Sequence, residues 1–206
     1  MIVPGACSAW RKKAVLEARG YSDSTLAEDC DLTLTLHKLG YQIIQDIEAE
    51  AYTEAPSTLK YLAKQRFRWI YGNIQAFWKH RDMIFNTSYS WLGLFVLPRA
   101  IVSLLMQILF APFLLLVSIT NILSGQYLIV VVFFIISLVI LLIAAIIGIA
   151  FAKEKYIHLY ATPFYRIMYG PLRTFILYAS VLTALKGLHV GWGKIARSGT
   201  VQIPVD

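Results

Sequence analysis

Apolar side chains recur at helical spacing through residues 59–78. Leu59, Ala63, Phe67, Ile70, Ile74, Phe77 and Trp78 fall on one face, and Gln65, Arg68, Trp69 and Gly72 share another. The spacing predicts an amphipathic helix that starts at Pro56 and Ser57. Lys60, Lys64, Arg66, Lys79, His80 and Arg81 make it basic. Such a helix should lie flat on a bilayer, its apolar face in lipid and its polar face toward a protein pocket. Upstream, residues 9–19 read as a short amphipathic helix closed by Gly20. Thr25-Leu26-Ala27-Glu28 has the form of a capping box, which predicts a second helix from Leu26 to Leu39 with Gly40 as its stop. Tyr41–Asp46 and Ala49–Thr53 are strand-like, although Glu48 and Glu50 weaken the second.

The pattern changes after residue 90. Leu92–Ile119 and Tyr127–Ala152 are long apolar runs, and about 20 residues cross a bilayer core. Pro98 and Arg99 place the start of the first span near Ala100, with Tyr89 and Trp91 at the interface. No charge lies between Asn121 and Gln126, whereas Lys153, Lys155, Arg166 and Arg173 follow the second span. The short loop is therefore expected outside, and residues 80–90 and 153–173 inside. Thr174–Val190 is a third apolar stretch, flanked by basic residues on both sides. Charge favours an in-plane or re-entrant segment and length allows a crossing, so both readings stand. Residues 1–57 hold too few elements to enclose a core by themselves. The expectation is the C-terminal part of a longer protein, or one half of a split one.

Composition sharpens this picture. Of the 206 residues 58% are hydrophobic, so a membrane protein is expected. The net charge of +7 could suggest nucleic acid, but the basic residues adjoin the apolar runs, which points to a membrane face and no nucleic acid. Cys7 and Cys30 lack metal-ligand spacing and form no disulfide framework. His37, His80, His158 and His189 are scattered, and no metal triad emerges. A transporter should carry polar groups along its spans, yet only Ser137 and Gly148 interrupt the second.

Two clusters carry candidate chemistry. Asp29 falls in the first turn of a capped helix, where the dipole and free amides favour negative charge. A carboxylate there can accept a proton from an attacking sugar hydroxyl. The plain alternative is that Glu28, Asp29 and Asp31 serve only as first-turn acids. Gln65, Arg68 and Trp69 offer an amide, a guanidinium fork for a diphosphate and an indole for stacking on a pyranose. Their plain alternative is an ordinary surface helix meeting lipid headgroups.

Taken in order, Pro4-Gly5-Ala6, Ala9-Trp10-Arg11, Gly20-Tyr21, Ala27-Glu28-Asp29-Cys30-Asp31-Leu32, Gly40-Tyr41, Thr53-Glu54-Ala55-Pro56 and Gln65-Arg66-Phe67-Arg68-Trp69 form a set. The set resembles membrane-embedded, processive family 2 glycosyltransferases, such as cellulose, hyaluronan and poly-N-acetylglucosamine synthases. By motif the resemblance covers about the first 80 residues. It implies an α/β remnant, the C-terminal part of a GT-A domain, over residues 1–57. An amphipathic interface helix at 58–90, an α-helical transmembrane region at 91–190 and a basic tail at 191–206 would follow.

The resemblance also implies transfer of a sugar, with inversion, from a nucleotide-sugar donor to a growing polysaccharide acceptor, coupled to translocation across the plasma membrane. The catalytic part would be cytoplasmic and the protein multi-pass in the lipid bilayer. Asp29 would be the base, with Glu28 beside it. Gln65, Arg66, Arg68 and Trp69 would bind substrate, and Gly5 and Cys7 would line the acceptor pocket. Trp192 and Arg197 are similar to a segment that folds over the nucleotide. The divalent cation (Mg or Mn) of the family would be held by ligands outside this chain, in a missing N-terminal glycosyltransferase half. These residues alone would then not turn over substrate. The rival reading is a non-catalytic membrane remnant or an accessory subunit of a polysaccharide synthase.

Overall fold

The computed structural model describes residues 3, 5, 7–44, 46, 49, 51, 53–152 and 156–187. Its main helices are α1 (Lys12–Glu17), α2 (Glu28–Lys38), α3 (Leu59–Lys79), α4 (Leu97–Leu123), α5 (Tyr127–Ala152), α6 (Ala161–Phe164) and α7 (Gly170–Leu185). The chain divides into two compact units, residues 1–103 with 176–206, and residues 104–175.

In the first unit α1 is shorter than its periodicity predicts, and Arg19 and Gly20 close it with φ of 63° and 79°. Helix α2 ends where expected. Gly40 adopts φ of 80°, and the Tyr41 N–H bonds back to Leu36 O at 3.0 Å. One side of α2 buries Leu32 and Leu36 against Ala14, with Trp10, Tyr41 and Ile43 packed at the edge. The other side buries Cys30 and Leu34 with Ala27, Ala76, Met83 and Leu97. Helix α2 is thus a core helix between two small apolar clusters.

The expected α/β remnant is not found, because no strand occurs among the described residues. Tyr41–Ile44, the start of the first strand-like run, is irregular, and Tyr41 and Ile43 pack on the α1–α2 cluster instead. A strand requires a neighbour to complete its hydrogen bonds. Gln45, Ile47, Glu48, Glu50 and Tyr52, which belong to or adjoin the two predicted strands, lie outside the described residues.

Helix α3 starts after Thr58, whose hydroxyl accepts from the Tyr61 N–H at 3.2 Å. After α3 the chain turns through Arg81–Met83 and Thr87–Tyr89 into a π turn at Leu92–Val96. The wide turn has a covalent cause. Pro98 has no N–H to give, and the Leu97 N–H bonds back five residues to Leu92 O. Gly93 O is thereby left for the Phe85 N–H at 3.0 Å. A Cβ on Gly93 would meet Asn86 O at 2.5 Å and Met83 O at 2.6 Å, so only glycine fits there. The Asn86 side chain, part of an Asn86-Thr87-Ser88 sequon, is engaged with the Ser88 N–H and Asp82 O.

Among the described residues, three helical stretches are long and apolar enough to cross a membrane: Leu92–Leu123, Tyr127–Ala152 and Ala161–Leu185. The first two match the expected spans. The third begins well before Thr174 and ends before Lys186, with α6, a π turn at Tyr165–Tyr169 and α7 forming one run. Within the second unit the Arg173 guanidinium donates to Gln107 Oε1, so this charge has a polar partner. Residues 188–190 and the basic tail at 191–206 lie outside the described residues.

Candidate active site

The N-terminus of α2 is held by α3. The expected capping box does not form, because Ala27 occupies the cap position and makes no side-chain cap bond. The hydroxyl of Thr25 is buried without a hydrogen-bond partner among the described residues. The backbone just ahead of the helix is held instead from 49 residues away, where Gln75 Oε1 accepts the Leu26 N–H at 2.9 Å. Beside it Gly72 lies so close that a Cβ there would sit 2.5 Å from Ala27 N and 2.8 Å from Leu26 C. Helix α3 therefore touches the backbone of the Ala27-Glu28-Asp29 turn directly.

A second clamp joins the far end of α3 to the same turn. Asp31 is buried, and its Oδ1 lies 2.7 Å from His80 Nε2 while its Oδ2 accepts from Lys79 Nζ at 2.7 Å. An ionised carboxylate only accepts, so Nε2 carries the hydrogen. Lys79 Nζ also donates to Ser24 Oγ at 3.0 Å and Ser22 Oγ at 3.2 Å. Burial pushes the Asp31 carboxyl up, but the hydrogen bonds from His80 and Lys79 outweigh it and hold Asp31 below the usual carboxylate range. Sequence reasoning had placed Asp31 among the first-turn acids and Lys79 and His80 on a basic surface. Gln75 and this triad were missed. The one sequence signal was Gly72, a glycine inside a helical pattern, which often marks a close approach.

Asp29 faces the other way. It is half-exposed, its Oδ2 accepting from the Gly5 N–H at 2.7 Å and its Oδ1 from the Cys30 N–H at 2.8 Å. The Val3 N–H bonds to Thr33 Oγ1 at 3.2 Å, so the segment around residues 3–5 lies along the first turns of α2. Gly5 and Asp29, assigned to one pocket by their resemblance, are thus adjacent. An ionised carboxylate offers about four acceptor sites, and these two amide hydrogens occupy two of them. Glu28 is half-buried at the first helical position, and Cys7 is exposed with a free thiol. The Cys30 thiol is pushed up to about 12 by burial and by Asp29 and Asp31, so it is inert.

Gln65, Arg66 and Arg68 are half-buried, and Trp69 is 43% exposed with the Arg66 guanidinium 4.3 Å from its ring centroid. At 100° per residue, Gln65, Arg68, Trp69, Gly72, Gln75, Ala76 and Lys79 form one continuous stripe. Its second half grips α2. Its first half presents the motif on the same side, with Arg68 and Trp69 about 5–6 Å along the axis from Gly72 at 1.5 Å per residue. The apolar stripe is less uniform than expected: Leu59 and Trp78 are exposed, but Phe77 packs on the core. Trp192 and Arg197 lie outside the described residues. Among the described residues no three His, Cys, Asp or Glu side chains form a group fit for a metal.

This arrangement defines a helical domain placed directly before apolar helices, with a half-exposed carboxylate and a guanidinium–indole helix joined through the core. Residues 1–151 match the family described as glycosyl transferase family group 2. The chain belongs to that family. It is similar to "Probable glucomannan 4-beta-mannosyltransferase 6" of Oryza sativa subsp. japonica, with 36% identity over 75 residues, 36% of this chain and 13% of that protein. It is also similar to "Probable glycosyltransferase YdaM" of Bacillus subtilis (strain 168), with 37% identity over 71 residues, 34% of this chain and 17% of that protein. "Glucomannan 4-beta-mannosyltransferase 1" of the same rice is 35% identical over 75 residues, 36% of this chain and 14% of that protein. The chain spans between 13% and 17% of the length of these relatives. No solved structure matches it.

Proposed function

We propose that this chain supplies the acceptor and base half of a membrane glycosyltransferase that extends a polysaccharide from a nucleotide-sugar donor. In this reading Asp29 removes the proton from the terminal hydroxyl of the acceptor. The oxygen attacks the anomeric carbon of the donor opposite the diphosphate. A C–O bond forms as the bond from that carbon to the diphosphate oxygen breaks, so the nucleoside diphosphate leaves with the electron pair and the configuration inverts. Gln65 and Arg68 bind the departing diphosphate by amide and guanidinium hydrogen bonds. Trp69 carries the acceptor sugar on its ring, Glu28 helps to orient the hydroxyl, and Gly5 and Cys7 form the near wall.

The relatives' names support a polysaccharide substrate, since one is named a glucomannan 4-beta-mannosyltransferase and another a probable one. The donor would be gripped by a nucleotide-binding half, as these relatives are about two to three times as long as this chain. A divalent cation, where one takes part, would be held there. The apolar helices would place this half at the cytoplasmic face of the plasma membrane and pass the polymer outward.

One observation carries the reading: a single stripe of α3 both grips the turn that bears Asp29, at Gly72 and Gln75, and presents Arg68 and Trp69. The test is incorporation of radiolabelled mannose or glucose in membranes containing this chain joined to its nucleotide-binding half. Asp29→Asn should lower incorporation by about 10²- to 10⁴-fold, the usual contribution of a general base, with the protein still folded. Unchanged incorporation would reject the base assignment.

A further inference from the structure

We propose that Arg66 is a positioning residue, backing one face of the Trp69 indole so that the opposite face serves as the platform for the acceptor sugar. This rests on the reading of the Gln65–Trp69 segment as the acceptor site. The two arginines of the motif cannot share one task. Two positions apart on a helix they point about 200° from each other, with Trp69 between them. Arg68 lies on the stripe that grips α2. Arg66 lies to the side, three residues before Trp69, with its guanidinium carbon 4.3 Å from the ring centroid. That is well inside the roughly 6 Å range of a cation–π contact.

An indole offers two faces and a pyranose needs one. With one face covered by the planar guanidinium, sugar can stack only on the other. A ring already fixed in place also loses less freedom when the sugar arrives. Trp69 is 43% exposed, enough to leave such a surface. The second arginine–tryptophan pair of this region is different. Trp78 is 71% exposed on the apolar stripe, and Arg81 lies 5.1 Å from its ring while donating to Trp78 O, which finishes the helix end. Lys at position 66 would keep the charge but lose the flat surface; Met would keep only the aliphatic stem.

The experiment uses the full chain in lipid nanodiscs with its five tryptophans replaced by 5-fluorotryptophan, the Trp69 resonance being identified by Trp69→Phe. β-1,4-Mannohexaose and cellohexaose are the sugar probes, and inorganic pyrophosphate is the diphosphate probe. Arg66→Met should move and narrow the Trp69 fluorine line and weaken the hexaose response about two- to fivefold, as expected for an exposed cation–π contact. Arg66→Lys should restore part of both, and pyrophosphate binding should not change. An unaltered Trp69 line and hexaose response in Arg66→Met would overturn the backing role while leaving the acceptor-site reading in place. Loss of pyrophosphate binding with normal hexaose binding would make Arg66 a phosphate ligand and reject the proposal. A Trp69 line that neither hexaose moves in the unmodified chain would refute the acceptor-site reading, and the platform with it.

Discussion

Replacing Gly72 with alanine should separate α3 from the turn that bears Asp29. The added Cβ would stand 2.5 Å from Ala27 N, 2.8 Å from Ala27 Cβ and 2.8 Å from Leu26 C. Two of these atoms are backbone, so no side-chain rotation relieves the clash. Ordinary contact would need the two helices to part by about 1 Å at this point, and overpacking of this kind costs about 1–3 kcal/mol. The roughly 1 kcal/mol gain in helix propensity from glycine to alanine is smaller than most of this range and does not remove the clash. The Gln75 bond to the Leu26 N–H is 2.9 Å and lies one turn away, so it would stretch or break with the same movement.

Amide hydrogen exchange over residues 22–32 reads this opening directly. A loss of about 1–3 kcal/mol corresponds to exchange about 5- to 150-fold faster in that segment. Gly148→Ala is the control, because a Cβ there meets nothing within 4 Å, and it should leave residues 22–32 unchanged. If the proposed transfer reaction holds, Gly72→Ala should also reduce it about 10²-fold through misplacement of the carboxylate. Unchanged exchange in Gly72→Ala, or an equal change in Gly148→Ala, would refute the close approach.

The remaining predictions concern the flanks of the same turn. Asp31 is held below the usual carboxylate range, so its bonds to His80 and Lys79 contribute stability above about pH 4, the unfolded value, and that contribution is lost as pH falls through the lower folded value. Exchange over residues 22–32 should therefore show a transition only in strong acid. Asp31→Asn should weaken the contact by about 3 kcal/mol at neutral pH and abolish the transition; a variant that keeps it places the titration elsewhere. With Cys30 buried and pushed up to about 12 and Cys7 exposed, a maleimide at pH 8 should modify one thiol in the native protein and two after denaturation. Rapid modification of both in the native state would contradict the packing of α2.

How much of this was legible beforehand follows from the range of each interaction. Gly40 ends α2 by a local backbone geometry, and the apolar runs of α4 and α5 are local composition, so both could be read from neighbours in sequence. The face shared by Gln65, Arg68, Trp69 and Gly72 was likewise local, a matter of period alone. The hold on the segment before α2 was not. The Thr25 pattern predicts a box, but Gln75 took the N–H of Leu26 from 49 residues away, and periodicity holds no trace of that exchange. The strand at Tyr41–Asp46 failed for a related reason. Alternation describes a half-buried extended segment, and Tyr41 and Ile43 satisfy it by packing on helices. The pairing of Asp31 with His80 and Lys79 spans about fifty residues and needed the crossing of α2 and α3 to be known.

The three acids of this turn, alike in sequence, part company in the structure. Asp29 and Asp31 are two positions apart, hence about 200° apart around α2. One side of the helix faces the α3 terminus, and there Asp31 is buried with both oxygens engaged by cations or their equivalents. The opposite side faces the Gly5 segment, and there Asp29 accepts the amide hydrogens of Gly5 and Cys30. A first-turn acid that served the helix dipole alone would need neither the Gly5 contact nor the two grips around it. A base needs fixed geometry, and a rigid, doubly clamped helix end provides it. Asp31 and Gln75 hold the turn, the stripe that does the holding runs on into Arg68 and Trp69, and this is the geometry that the proposed base at Asp29 requires.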